Sequence, residues 1–247
     1  MLVANKKASK TAYPDALRHI LNRESADESR AWLSNWSLID RQHTPLWELA
    51  GAASHLGIAR LCVKDESMRS PLGSFKALGE PIALMRLIMR LSRTCDIDPK
   101  RLVEGGHAPM LAGLTVVSTT DGNHGRALAA AAQSIGCQCV IMLHANVSEK
   151  REQAIAACGA RIMRIEGNYE DSVAYAARLA KEHGWHVVSD TSYEGYEAIP
   201  RDVMQGLRDA RRRDRRGRCP VIHPRLPPRR RRRSCGGRRE LSLGARG

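Results

Sequence analysis

Leu114-Thr115-Val116-Val117-Ser118-Thr119-Thr120-Asp121-Gly122-Asn123-His124-Gly125 reads as a strand, a polar turn and the opening of a helix. The apolar run ends at Ser118. An alanine-rich helix is expected from His124 to Ile135, stopped by Gly136. The same rhythm continues downstream. Gln138 to Leu143 predicts a strand, and Ser148 to Cys158 a helix capped by Ser148 and closed by Gly159. Arg161 to Ile165 predicts a strand, Tyr169 to His183 a helix closed by Gly184, and His186 to Ser189 a strand. Ala198 to Leu207 opens another helix. Strands alternating with helices of this length imply an α/β fold: a parallel, twisted sheet with helices on both faces and right-handed crossovers.

Upstream the pattern is less regular. Ser74 to Leu91 predicts a long helix kinked at Gly79-Glu80-Pro81, because proline removes a helical N–H. Thr94 to Gly113 is polar and turn-rich, which predicts a loop. Ile58 to Lys64 predicts a strand, Trp47 to Leu56 a short helix stopped by Gly57, and Thr44-Pro45-Leu46 an extended entry. Residues 1–40 form a lead-in with one helix, Ser25 to Trp36. Ser25 and Glu28 have capping-box spacing. Trp32 and Trp36 lie one turn apart, so they share a face and should dock onto the body.

Composition sets the class. The 247 residues can bury a real core, and 43% hydrophobic with 27% charged residues is ordinary for a globular chain. The net charge of +14 is not spread evenly. Residues 208–247 hold 16 Arg against Asp209, Asp214 and Glu240, so the body, residues 1–207, is close to neutral. The seven cysteines show no zinc-type spacing. Cys139 opens an apolar strand, where a buried thiol is expected, and the odd count suits a reducing compartment. Neither a signal-peptide core at Met1 to Lys10 nor a membrane-length apolar run is evident. A cytoplasmic protein without membrane partners is expected.

In doubly wound folds, ligands sit at the carboxyl ends of strands. Lys76 follows the strand ending near Lys64, through the loop Ser70-Pro71-Leu72-Gly73-Ser74-Phe75. At a helix mouth, near helix N–H dipoles and a cationic or apolar neighbour, such an amine sheds its proton more readily and can act as a Schiff-base nucleophile. Asp121 and Asn123 follow the strand ending at Ser118, and Asp190 follows the strand ending at Ser189. Each has a bland role open to it: a solvated lysine, a turn aspartate, an N-cap, a strand-exit cap. Together they place one amine, two carboxylates and one amide at one rim, equipment suited to imine chemistry with proton abstraction.

Ser74-Phe75-Lys76 and Gly122-Asn123-His124-Gly125 resemble the lysine and asparagine-loop motifs of pyridoxal-phosphate enzymes of the tryptophan synthase β / threonine dehydratase fold (fold type II). The fuller Thr119 to Gly125 stretch, with Asp190-Thr191 and Glu194-Gly195-Tyr196, resembles the diaminopropionate ammonia-lyases over roughly residues 12–206. The resemblance implies a carbon–nitrogen lyase with pyridoxal 5'-phosphate as cofactor. Lys76 would bond to the cofactor, and Asn123 would hydrogen-bond its 3-hydroxyl. Asp121 and Asp190 would abstract the proton from one substrate enantiomer each. The reaction implied is α,β-elimination from D- and L-2,3-diaminopropionate to pyruvate and ammonia. His124 would serve as a relay or orient the helix start. No metal is called for. An amino-acid substrate and a homodimer are the implied partners.

The sequence departs from that family after about residue 206. Residues 208–247 are Arg- and Pro-rich, contain no Lys, and lose all apolar periodicity, which predicts disorder. Gly236-Gly237 has no apolar strand before it and so does not fit the family's phosphate loop. A reading-frame shift or fusion junction near residue 207 is expected, with the C-terminal part of the fold missing. Residues 41–207 would then be a partial lyase fold with exposed apolar surface, weak cofactor binding and little or no turnover. Two other readings remain: a serine/threonine dehydratase-like enzyme, and a non-specific binder of anionic polymers such as nucleic acid through the Arg tail.

Overall fold

The structure, a computed structural model, describes residues 12–120 and 122–208. The Arg-rich stretch and Asp121 lie outside the described residues.

After a short 3-10 turn at Asp15–Leu17, the lead-in forms helix α1 (Arg23–Leu33). Its cap differs from the expected one. Asn22, not Ser25, is the N-cap, and its side chain accepts a hydrogen bond from the Ser25 backbone N–H. Asn22 has extended backbone, as a cap requires, whereas Ser25 already lies inside the first turn. Trp32 and Trp36 dock as expected, although α1 ends before Trp36. The Trp36 indole is buried and donates to Ser134 Oγ at 2.9 Å, and the Arg86 guanidinium lies 5.1 Å from the Trp32 ring centre.

The next segment corrects two expectations. Strand β1 (Leu46–Glu48) precedes helix α2 (Ala50–His55), so the helix predicted from Trp47 begins later. Strand β2 (Cys62–Lys64) pairs antiparallel with β1, Leu46 facing Lys64 and Glu48 facing Cys62. β2 therefore belongs to a separate two-stranded sheet, not to the parallel sheet whose strand ends were expected to carry Lys76. Three-residue strands offer too little period-2 pattern to be told from the flanking helix.

Helix α3 (Lys76–Leu91) follows a 3-10 turn at Glu66–Arg69. It is a single helix that includes Pro81, where a kink was expected. It is also the spine of the core: Leu78, Ile82, Leu84, Met85 and Ile88 have essentially no exposed surface. The predicted loop from Thr94 to Gly113 contains two short helices, α4 (Pro99–Val103) and α5 (Ala108–Leu111), each with proline in the first turn, where its missing N–H is harmless.

The remaining chain matches the rhythm read from the sequence. β3 (Thr115–Thr119), α6 (Asn123–Ile135), β4 (Gln138–His144), α7 (Glu149–Ala156), β5 (Arg161–Ile165), α8 (Tyr169–His183), β6 (His186–Val187) and α9 (Ala198–Leu207) follow in turn. The four strands form one parallel sheet in the order β5-β4-β3-β6. β3 and β4 are central and almost wholly buried, and Cys139 lies inside with its thiol pushed up by burial. One apolar cluster joins α3 and α6 to residues of β3 and β4. A second, with Val117, Val140 and Met142, meets Ala176, Leu179 and Ala180 of α8. The sheet is thus covered on both faces, as the fold class requires.

α9 crosses α3 at two glycines. A Cβ on Gly206 would fall 2.1 Å from Leu78 O, and one on Gly79 would fall 2.9 Å from Val203 Cγ1. Only glycine allows that approach. It seats α9 closely on α3, whose first turn meets Asp190 beyond β6 and His124 of α6. Among the described residues no helix is long and apolar enough to cross a membrane.

Candidate active site

Three segments converge at the carboxyl ends of β3 and β6. Lys76 is the first residue of α3, Asn123 and His124 are the first two of α6, and Asp190 lies three residues beyond β6. The loop from β3 into α6 is held tight by Gly125. A Cβ there would fall 2.4 Å from Thr120 Cγ2, so the first turn of α6 lies directly against the strand exit. The segment bearing Asp190 is pinned by Tyr196. Its phenol donates to Val187 O at 3.0 Å and accepts from the Ser189 N–H at 2.8 Å. Burial pushes the Tyr196 phenol up to about 12, so it stays a neutral donor.

Lys76 Nζ meets two acids. It donates to Asp190 Oδ2 in a short hydrogen bond and lies 3.5 Å from Glu80 Oε1, one helical turn along α3. His124 joins them: Nδ1 is 2.8 Å from Glu80 Oε1 and 3.8 Å from Asp190 Oδ2, while Nε2 is 2.9 Å from Ser118 Oγ and 3.1 Å from Val188 O. Burial works against a charge on Lys76, but the Glu80 and Asp190 carboxylates outweigh it and hold the amine above its ordinary range. This corrects the expectation that the helix mouth makes Lys76 shed its proton, because its neighbours are anionic, not cationic. Burial likewise opposes ionisation of Asp190, and the Lys76 hydrogen bond with the His124 and Lys76 charges overrides it and lowers its pKa.

These side chains open on a hollow of about 450 Å³ lined by Lys76, Thr119, Thr120, Asn123, His124 and Asp190, with His144 and Tyr169 completing it. A second hollow of about 420 Å³, between Gly73–Phe75 and Lys64–Ser67, shares Asn123. Lys76, Asn123 and Asp190 therefore meet as the sequence led us to expect. Asp121 lies outside the described residues. Glu80 was missed: the sequence pointed to it only as part of a kink. Its signal was the spacing of four from Lys76, which places both on one helix face. Carboxylate oxygens of Glu80 and Asp190 and a ring nitrogen of His124 lie within 4.8 Å of one another, a spacing that could hold a metal ion, but the Lys76 ammonium occupies the cation position beside both acids.

Comparison with known proteins gives the family. Residues 39–210 match the family model of the pyridoxal-phosphate dependent enzymes. The chain belongs to that family. It is similar to diaminopropionate ammonia-lyase of Escherichia coli (strain K12), 39% identical over 165 residues, which is 66% of this chain and 40% of the relative's length. The corresponding lyase of Salmonella typhimurium is 35% identical over 166 residues, 66% of this chain and 41% of that protein. The crystal structure of the holo diaminopropionate ammonia lyase from Escherichia coli aligns with a TM-score of 0.68 at 35% identity, covering 77% of this chain and 49% of that one. The chain thus spans about 40% of the length of the curated relatives it matches.

The residues present fit pyridoxal phosphate on its carbonyl side. A lysine amine and an exposed amide, Lys76 and Asn123, line one hollow, with the Thr119 and Thr120 hydroxyls beside them.

Proposed function

We propose that this site supports α,β-elimination of ammonia from 2,3-diaminopropionate, of either hand, with pyruvate and two ammonia as products after uptake of one water. The contact between Lys76 Nζ and Asp190, both lining the hollow, carries the proposal. Lys76 and Asn123 would hold the cofactor, the first through its carbonyl carbon and the second through its ring hydroxyl. Bound pyridoxal phosphate supplies the electron sink that lets a proton leave the carbon beside the substrate amine.

The chain's own residues do the rest. Asp190, held ionised by its cationic neighbours, takes the proton from one face, and Asp121 is assigned the other face. Lys76 moves between a charged donor to Asp190 and a neutral nucleophile. Tyr196 keeps Asp190 at the height of Lys76 by tying its segment to β6. The likeness to lyases at 35–39% identity favours this reaction over hydroxyl elimination from serine. An amino-acid substrate and a homodimer belong to the same proposal.

The first test is covalent. The chain is incubated with pyridoxal phosphate, reduced with borohydride and digested. The pyridoxyl group should be found on Lys76, and equal labelling of other lysines would overturn the assignment. The second test compares pyruvate release from both diaminopropionate enantiomers and from serine on a chain whose reading frame is restored near residue 207, because little or no turnover is expected of this one. Release favouring serine would move the chain to the dehydratases.

A further inference from the structure

Lys76, His124 and Asp190 line the hollow and Glu80 is buried behind them, and both basic residues sit at the wrong end of a helix. Lys76 opens α3 and His124 lies in the first turn of α6, where the positive end of the helix dipole disfavours added positive charge. His124 is also buried. Its hydrogen bonds nevertheless call for a cation. Nε2 faces the Val188 carbonyl, which can only accept, so Nε2 carries a proton. Nδ1 faces the Glu80 carboxylate at 2.8 Å. A ring that donates from both nitrogens is an imidazolium. Among the described residues the charged groups facing it are Glu80 and Lys76 from α3 and Asp190 from beyond β6, while Ser118 Oγ and Val188 O are uncharged.

Glu80 is the acid the proposed reaction does not use. It has no exposed surface, and its Oε2 has no hydrogen-bond partner. A buried carboxylate is costly unless a cation faces it, and Glu80 Oε1 meets both the His124 ring and the Lys76 ammonium. We propose that Glu80 is the counter-ion that keeps His124 an imidazolium, and that this fixed charge holds Asp190 ionised and in place when Lys76 sheds its proton to act as a nucleophile. Glu80 and His124 are then positioning residues. The inference rests on the roles given above to Lys76 and Asp190.

Without such a charge, Asp190 would lose its cationic partner at the moment it must act as a base. The Lys76 proton would raise the Asp190 pKa by leaving, and the carboxylate would tend to pick up a proton from water instead of from the substrate. His124 at 3.8 Å from Asp190 Oδ2 supplies the missing charge. The direction of the His124 pKa agrees: burial lowers it, but the Glu80 hydrogen bond and charge, with the Asp190 charge, outweigh burial and raise it.

The test uses the full chain without cofactor, labelled with nitrogen-15 in histidine, and follows each ring by NMR from acid to alkaline pH. His124 should titrate above the ordinary histidine value of about 6.5 and show both nitrogens protonated near neutrality. Glu80→Gln should lower that midpoint by about one unit or more, tenfold in acidity, and Asp190→Asn should lower it less. A wild-type midpoint at or below the ordinary value overturns the proposal without any variant, so a Glu80→Gln chain that fails to fold does not protect it. A folded Glu80→Gln chain with an unmoved midpoint overturns it as well. In the cofactor-loaded protein, the acid limb of substrate α-proton exchange should shift upward in Glu80→Gln. Labelling of Lys76 separates the two claims: if Lys76 is pyridoxylated and His124 is neutral, only this inference fails, whereas failed labelling with a charged His124 removes the cofactor reading alone.

Discussion

Two of the charge clusters among the described residues differ in one respect that decides their use. The first ties the lead-in to the body. Arg69 donates from Nε to Glu66 Oε2 at 2.9 Å and from Nη1 to the Asp40 and Gln42 carbonyls at 2.8 and 2.9 Å. The Thr44 hydroxyl donates to Glu66 Oε1 at 2.6 Å, and Lys64 donates to Thr44 O at 2.6 Å. Both carboxylate oxygens of Glu66 are used. The second cluster is Lys76, Glu80, His124 and Asp190, with Glu80 Oε2 left over. The first is centred on an arginine, which does not give up its proton in a protein. The second is made of a lysine and a histidine, which do. A saturated network around a permanent cation fixes geometry. An incompletely satisfied one around removable protons can pass charge.

The sharpest way to break this comparison is at the lysine. Lys76→Ala should abolish borohydride-trapped pyridoxal phosphate on α3, measured by mass spectrometry, because among the described residues no other amine lines that hollow. Persistent labelling near the site would show that the amine is not special. Next in size is Glu66→Ala. It strands a buried guanidinium that cannot neutralise, so a loss of about 3–5 kcal/mol in urea unfolding is expected. Glu80→Gln should lose less, under about 2 kcal/mol, because His124 can drop its proton when its partner goes. Equal losses at the two acids would erase the distinction.

Glu66 of the first cluster and His124 of the second should also lose their contributions at opposite ends of the pH scale. Burial raises the Glu66 pKa, but hydrogen bonds from Arg69 and Thr44 and the nearby positive charges bring it below its ordinary value. Its contribution is present above the unfolded carboxylate range of about 4.3 and is lost as pH falls through the lowered native value. His124 runs the other way. Its raised pKa means a contribution complete below about 6.5 and lost as pH rises through the native value. Unfolding measured across pH should show an acid limb that Glu66→Gln reduces, Asp190 supplying part of the remainder, and an alkaline limb that Glu80→Gln reduces. A single variant removing both limbs would mean that the clusters are one network.

What the sequence made legible follows the same division. Arg161–Ile165, Tyr169–His183 and Ala198–Leu207 have in the structure the bounds read from the chain, because apolar strands, helix faces and closing glycines all agree there. β1 and β2 were not legible as a pair, since three-residue strands carry almost no period and Trp47 sits within an apolar stretch that reads as helix. Lys76, Asn123 and Asp190 could be found because each follows a strand or opens a helix. Glu80 could not, because it lies between Gly79 and Pro81, where the eye reads backbone geometry and not a charge. Burial of an acid is a tertiary fact, and only the approach of α6 reveals it.

The smallest effect concerns the tie between the second cluster and its scaffold. Tyr196→Phe removes one hydroxyl that serves two backbone groups, Val187 O and the Ser189 N–H. Each such bond contributes about 0.5–1.5 kcal/mol, so the thermal unfolding transition should fall by an amount equivalent to roughly 1–2 kcal/mol. The ring remains, so packing is kept. The instructive measurement is at His124. If the tyrosine acts only on stability, the His124 midpoint stays where it is. If it holds Asp190 beside Lys76, as the short segment from Val187 to Asp190 requires, loosening that segment withdraws one negative charge from the imidazolium, and the midpoint falls by a few tenths of a unit, less than in Asp190→Asn. A drop matching Asp190→Asn would mean that the aspartate is placed by its tether alone, and no drop would mean that Lys76 holds it unaided.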